Sequence, residues 1–360
     1  MDIRKIAVLG AGNVALATTA ELSNSGFTIN MFELPAYEHN IGPIIEKGGI
    51  EYSGVAGEGI AKLNMITTDI EKALKDVGLI ILAAPAFAHE QFVDACLPFF
   101  QNGQIFLTET AYFACLRFAK KIHQTGKQII LAEMNQSPYT CTKKNPAHIF
   151  IDAKRNEAFI AVFPTATNVM EKLEVLKSVW PDLASVKNVM QTSLDNMNWI
   201  AHPPITILHR GLIERLEEYH LPLKDALPPS VIRLMEALER DRVTFGAAFG
   251  IKLPPIKHSF EMGGDTLEEA LRLSTEFETF GYDYHNGSCP YLKEDLFFAL
   301  SPIVSIANQV DVPVPAMSAV LHMFSIIDSV NYLNEGINAE KMGIAGMNRD
   351  EIRNILENGF

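Results

Sequence analysis

Residues 5–17, KIAVLGAGNVALA, restrict the fold more than any other stretch of the chain. KIAVL is a short apolar, β-branched run of the kind that forms a strand buried on both faces. NVALATTAELSNSG follows with helical character and closes on Gly26, a residue that commonly ends helices. Between the two, Gly10, Gly12 and Ala15 stand in a Gly-x-Gly-x-x-Ala spacing. Gly10 permits a tight turn, Gly12 lets the backbone come close to a bound group, and Ala15 keeps the helix near the sheet. A strand that turns directly into a helix begins a βαβ unit, so a parallel sheet covered on both faces should follow.

The sequence continues in that sense. FTINMFE, LIILAAP, GQIFLTE and KQIILAE read as buried strands, separated by helical stretches around AHEQFVDACLPFF and AYFACLRFAKKIHQ. HIFIDAKRNEAFIAVFP reads as two strands about a polar turn, an antiparallel addition to the same sheet. After residue 187 strand signals disappear, and apolar residues recur about every 3.6 positions. Asn348, with Glu351 three residues on, marks the start of a last helix. The expected fold is α/β: a Rossmann-type dinucleotide-binding domain over residues 1–187, followed by an all-α domain over residues 188–360.

A glycine loop between strand and helix points to a dinucleotide cofactor, with the pyrophosphate at the helix N-terminus beside Gly12 and Asn13. Glu33 ends the second strand, 21 residues after Gly12, where a carboxylate accepts hydrogen bonds from the adenosine ribose hydroxyls. A 2′-phosphate would meet that negative charge, and no arginine lies within FELPAYEHN. NAD is therefore favoured, with NADP the alternative. Pro85 stops the fourth strand in LAAPAFAHEQ, where small residues leave room for the other end of the cofactor. His89 in that segment reads as a helix-start residue, outside the chemistry.

Composition narrows the partners. A net charge of −13 and the lack of a Lys/Arg run argue against nucleic acid. Cys96, Cys115, Cys141 and Cys289 form no CxxC pair, so zinc-ribbon and redox motifs are not expected, and no metal-ligand cluster stands out. The longest apolar runs are too short to span a membrane. MDIRKIAVLGAG enters a strand pattern at once, so a cytoplasmic protein is expected. SVIRLMEALERDRVTFGAAFG is amphipathic, which suits a homodimer contact as well as packing within the domain.

The segment DNMNWIAHPP, residues 195–204, holds the chemical candidates of the second half. Asn198 and His202 would share one helix face, one turn apart. Pro203 and Pro204 have no amide to give the carbonyls of Trp199 and Ile200. Either the prolines end a helix and His202 is a packed or capping residue, or they shape a polar cleft around the imidazole.

Here the chain resembles a known family. TSLDNMNWIAHPPITILHRGLIE is similar to the start of the helical domain in the opine dehydrogenases, the octopine/nopaline group, with its Asn-x-x-x-His-Pro signature. SPYTC at 137–141, PYLKEDLFFALSPIVSIANQVDVPVP and EKMGIAGMNRDEIRNILENG resemble the family too, so the likeness spans nearly the whole chain. It implies NAD(P)H-dependent condensation of a 2-oxo acid such as pyruvate with the amino group of an amino acid, so the partners are small molecules. It also implies His202 as acid/base, Asp295 as the carboxylate paired with it, with Glu294 the alternative partner, and Asn198 as a substrate contact. An imidazole can accept and return a proton near neutral pH, and a carboxylate on one ring nitrogen fixes its tautomer. One departure stands out: where the family carries an arginine for a substrate carboxylate, this chain has Pro290, with Lys293 and Arg210 as the other cations to consider. Two further readings share the scaffold. One is a simple 2-oxo acid/2-hydroxy acid oxidoreductase of the ketopantoate-reductase kind, and the other a non-catalytic dinucleotide sensor or interaction protein.

Overall fold

The computed structural model describes residues 3–155, 158–166, 169–259, 264–273, 281–285 and 292–360. Two compact units divide the chain: Met1–Ser193 with Asn354–Phe360, and Leu194–Arg353.

The first unit is built on an eight-stranded sheet in the order Leu183–Ser185, Ala158–Phe163, Ile130–Met134, Ile105–Thr108, Leu79–Leu82, Lys5–Leu9, Thr28–Phe32, Met65–Thr67. Neighbours run parallel except Ala158–Phe163 against Ile130–Met134. The central strands are buried along their length, which is why they read as unbroken apolar runs rather than alternating ones. Ile6, Val8, Ile29, Leu79 and Ile81 belong to one core cluster with Ala15 of the helix Asn13–Asn24. Each buried Ile or Leu contributes about 1.5–3 kcal/mol relative to exposure. The helix ends as expected: Gly26 has φ +87° and its amide bonds to the Ser23 carbonyl at 3.1 Å.

The stretch HIFIDAKRNEAFIAVFP behaves differently from its sequence reading. His148–Lys154 does not join Ala158–Phe163. It lies in a second sheet, in the order Gly59–Ala61, Ile50–Gly54, His148–Lys154, Tyr139–Asn145, antiparallel to the last of these. The missed signal is the turn in KKNPAHIF, where the Asn145 side chain accepts the Ala147 amide at 3.0 Å and folds the chain back locally. The closing residues also return to this unit. Thr165 and Ala166 amides bond to the Leu356 and Glu357 carbonyls at 3.2 and 2.8 Å, and the Phe360 ring lies beside Phe163.

The second unit is helical, with long helices at Asn198–Arg215, Pro229–Ala248 and Pro315–Asp328. Proline opens the latter two, where its missing amide costs nothing. Asp241 on the second helix accepts the Met317 amide at 2.9 Å and so caps the third. One antiparallel pair interrupts the all-α expectation: Glu218–Pro222 with Gly281–His285. These strands are short and far apart in sequence, and only the in–out alternation of Tyr282, Asp283, Tyr284 and His285 hints at them. Asn348 caps its helix as read: its side chain accepts the Glu351 amide at 3.1 Å, and Glu351 accepts the Asn348 amide at 2.7 Å. No helix among the described residues is long and apolar enough to cross a membrane.

Candidate active site

In the first unit the glycine loop joins Lys5–Leu9 to Asn13–Asn24. Gly10 has φ +110°, its amide bonds to the Phe32 carbonyl at 2.8 Å, and an added Cβ would stand 2.8 Å from the Ala83 carbonyl oxygen. The turn therefore requires glycine. Gly12 is different. It precedes the helix with φ −77°, ψ −174°, and a Cβ there would meet nothing within 4 Å. Neither backbone conformation nor packing demands glycine at that position, so the open space beside it fits an external group. Asn13 opens the helix, whose first amides lack intrahelical carbonyl partners and whose dipole favours an anion. Ala15 is fully buried against the sheet. These residues fit a dinucleotide pyrophosphate.

Glu33 follows Thr28–Phe32 and is only 4% exposed. Its carboxylate accepts the Leu34 amide at 2.8 Å and the Asn40 side-chain amide at 3.4 Å. Burial pushes its pKa up, and these bonds, with the nearby Lys143 ammonium, oppose the rise. Lys143, on Tyr139–Asn145 of the second sheet, donates to the Ala11 carbonyl at 2.7 Å, between the two glycines. Burial lowers its pKa while Glu33 holds it up. Neither Lys143 nor Asn40 was found from sequence; both reach Glu33 only through the fold.

Pro85 has extended backbone and starts the short turn Ala86–Ala88 after the strand Leu79–Leu82. His89 is wholly buried, with Nε2 2.8 Å from the Ala84 carbonyl, and burial pulls its pKa down to about 3. A neutral core imidazole agrees with leaving it out of the chemistry. Two further strand-end acids are also wholly buried. Glu109 accepts Thr18 Oγ1 at 2.6 Å, and burial raises it to about 8. Glu133 accepts the Cys115 amide at 2.8 Å and Thr192 Oγ1 at 2.6 Å.

In the second unit, the helix Asn198–Arg215 runs unbroken through Pro203 and Pro204. The prolines do not end it, so the helix-stop reading of DNMNWIAHPP is not the observed one. Asn198 lies in its first turn, and its amide donates to the Asn196 side chain at 3.1 Å. His202 follows one turn later. Its Nδ1 is 2.8 Å from Asp295 Oδ2, across 93 residues of sequence. A carboxylate can only accept here, so Nδ1 carries the hydrogen and proton exchange falls to Nε2. Asp295 is fully buried, whereas the His202 side chain keeps 13% exposure. Asp295 opens a π-helical turn, Asp295–Leu300, of a kind that often re-aims side chains at functional sites. Tyr282 presses edge-on against the imidazole, with ring centroids 5.6 Å apart at 80°. The segment leading into the helix is anchored by buried Arg242, which binds Asp195 at 2.9 Å and Glu239 at 2.7 Å.

Arg210 is tied to Glu214 and Asp328 at 2.7 and 2.9 Å, and Lys293 is exposed. Pro290 and Cys289 lie outside the described residues. Among the described residues, no group of three His, Cys, Asp or Glu side chains is placed to hold a metal ion.

The chain is similar to known proteins over nearly its whole length. Residues 185–327 match the family described as NAD/NADP octopine/nopaline dehydrogenase, alpha-helical domain. An opine dehydrogenase of Arthrobacter sp. (strain 1C) is 28% identical, over 99% of this chain and 100% of the relative. The structure of octopine dehydrogenase with NADH and L-arginine matches with TM-score 0.78 and 16% identity, over 98% of each chain. NADP+-bound yersinopine dehydrogenase matches with TM-score 0.73 and 14% identity, over 99% of this chain and 98% of that one.

Proposed function

We propose that the chain, which is similar to opine dehydrogenases over nearly its whole length, is itself an opine dehydrogenase that joins a 2-oxo acid such as pyruvate to the amino group of an amino acid, at the expense of NAD(P)H. The observation that carries the reading is the Asp295 carboxylate seated 2.8 Å from His202 Nδ1, one helical turn beyond Asn198. The condensation expels water and yields an imine; reduction then gives a secondary-amine dicarboxylate, with one proton taken up overall.

Gly10, Gly12, Asn13 and Ala15 shape the place of the pyrophosphate, Glu33 that of the adenosine ribose, and Pro85 the strand end nearer the nicotinamide. A nicotinamide cofactor held by these residues would supply the hydride. His202 is the proton carrier. Through Nε2 it takes a proton from the substrate ammonium, freeing the nucleophilic lone pair, and returns one to the hydroxyl that leaves as water. Asp295 keeps Nδ1 protonated and steadies the imidazolium that forms between the two transfers. The buried Asp295 position and the Tyr282 edge hold the ring in one orientation. Asn198, on the same helix face, offers an amide to a substrate carboxylate or carbonyl.

We further propose a cytoplasmic homodimer, for which exposed Val243 on Pro229–Ala248 offers an apolar contact. Sedimentation of purified protein tests the dimer. The reaction is tested by NADH oxidation with pyruvate, in the presence and absence of a panel of amino acids. Oxidation only when both substrates are present supports condensation; oxidation with the oxo acid alone would replace it with simple 2-oxo acid reduction.

A further inference from the structure

The acid at the adenosine end of the glycine loop does not act alone. We propose that Lys143 is the residue through which this chain accepts a 2′-phosphate on the adenosine ribose, so that one site takes NADPH as well as NADH. The proposal rests on the reading of Glu33 as the ribose carboxylate.

Glu33 by itself would repel a phosphate, and FELPAYEHN around it offers no arginine. The fold supplies the cation from elsewhere. Lys143 arrives on Tyr139–Asn145 and places Nζ 2.7 Å from the carbonyl of Ala11, 132 residues earlier in sequence and between the two loop glycines. It also lies within the electrostatic reach of Glu33, since each of the two groups perturbs the other. An ammonium has three N–H donors, and among the described residues the Ala11 carbonyl takes one. Holding one loop carbonyl does not require a half-buried charge; a site that must balance Glu33 against an incoming phosphate does. With NADH bound, the ribose hydroxyl can donate to Glu33 and accept from Lys143. With NADPH bound, the ammonium meets the phosphate and offsets the carboxylate. Neighbouring Lys144 is exposed, stands over the Phe150 ring at 4.8 Å, and points away by strand alternation.

The test is calorimetric titration of NADPH and NADH into the full chain and its Lys143→Gln, Lys143→Arg and Lys144→Gln variants. Loss of a charge-assisted bond to phosphate should weaken NADPH binding about tenfold or more in Lys143→Gln. NADH binding should fall clearly less than NADPH binding, because a hydroxyl ligand keeps its bond to Glu33 and can still accept from the glutamine amide. Lys143→Arg should retain NADPH, and Lys144→Gln should leave both affinities unchanged. Equal losses for both cofactors in Lys143→Gln, no loss for either, or native protein that binds NADH but not NADPH would overturn the assignment. Native protein that binds neither would overturn the cofactor-site reading and the assignment with it.

Discussion

Gly10 and Gly12 have the same side chain, two positions apart, and the structure gives them opposite duties, so their alanine variants should fail in opposite ways. At Gly10, alanine would have to adopt φ +110° and place its Cβ 2.8 Å from the Ala83 carbonyl oxygen. A non-glycine residue in such a conformation costs about 1–3 kcal/mol, before the backbone of Ala83 has to move. For a unit of this size that corresponds to a fall in melting temperature of roughly 3–10 °C. At Gly12 the backbone is extended and a Cβ touches nothing within 4 Å. Gly12→Ala should therefore leave the melting temperature within about 3 °C of native, since N-cap preference and reduced unfolded-state entropy nearly cancel. Its methyl group, however, would stand where the backbone must approach a pyrophosphate, and NADH affinity should fall by about tenfold or more. The assay is thermal unfolding by circular dichroism alongside calorimetric NADH titration of the same preparations. Native NADH affinity in Gly12→Ala would refute the argument, because the open space would then not be the cofactor's. So would an unchanged melting temperature in Gly10→Ala.

Other expectations follow from the same geometry. His202→Ala should lower kcat by about 10²–10⁴-fold with little change in NADH affinity, and Asp295→Asn should lower it by about tenfold or more through loss of the charged partner at 2.8 Å; steady-state NADH oxidation near native rates in either variant removes that residue from the mechanism. Glu33→Ala should weaken NADH more than NADPH, and equal weakening would mean that this carboxylate does not read the ribose. Glu109, raised to about 8 in the fold from an ordinary 4.5, binds its proton more tightly folded than unfolded. Its stabilising contribution is complete below about pH 4.5 and is lost as pH rises through about 8, with an amplitude on the order of a few kcal/mol. Glu109→Gln should accordingly become more stable relative to native between pH 5.5 and 9, and urea-unfolding differences that stay constant over that range would contradict the assignment.

Much of the fold could be read locally because its signals are local. The parallel strands are buried on both faces and so appear as continuous apolar runs, and Gly26 and Asn348 mark helix ends by chemistry confined to a few residues. The two-stranded pair Glu218–Pro222 and Gly281–His285 was not legible, because its stability lies in pairing across a long separation rather than in either segment. The pairing of His202 with Asp295 is likewise non-local, and only likeness to a known family joined the two before the structure did.

The strand-end acids show why a local pattern cannot finish the reading. INMFE, IFLTE and IILAE are nearly interchangeable as sequence, each an apolar strand closing on a glutamate. In the fold, Glu33 meets the Leu34 amide, Asn40 and the field of Lys143 at the glycine loop. Glu109 meets a single threonine hydroxyl, and burial drives it toward the neutral acid. Glu133 is bound by the Cys115 amide and the hydroxyls of Thr192 and Ser193, an internal fastening rather than a ligand site. The difference among the three is not in the glutamates but in what distant segments deliver to them. A carboxylate that retains a donor shell and a neighbouring cation at an open loop can exchange those partners for a ligand, whereas one sealed by a hydroxyl can only stabilise or strain the core. On the proposal made for Lys143, what decides between the two cofactors is delivered to Glu33 by a segment more than a hundred residues away, and the sequence around Glu33 contains no trace of it.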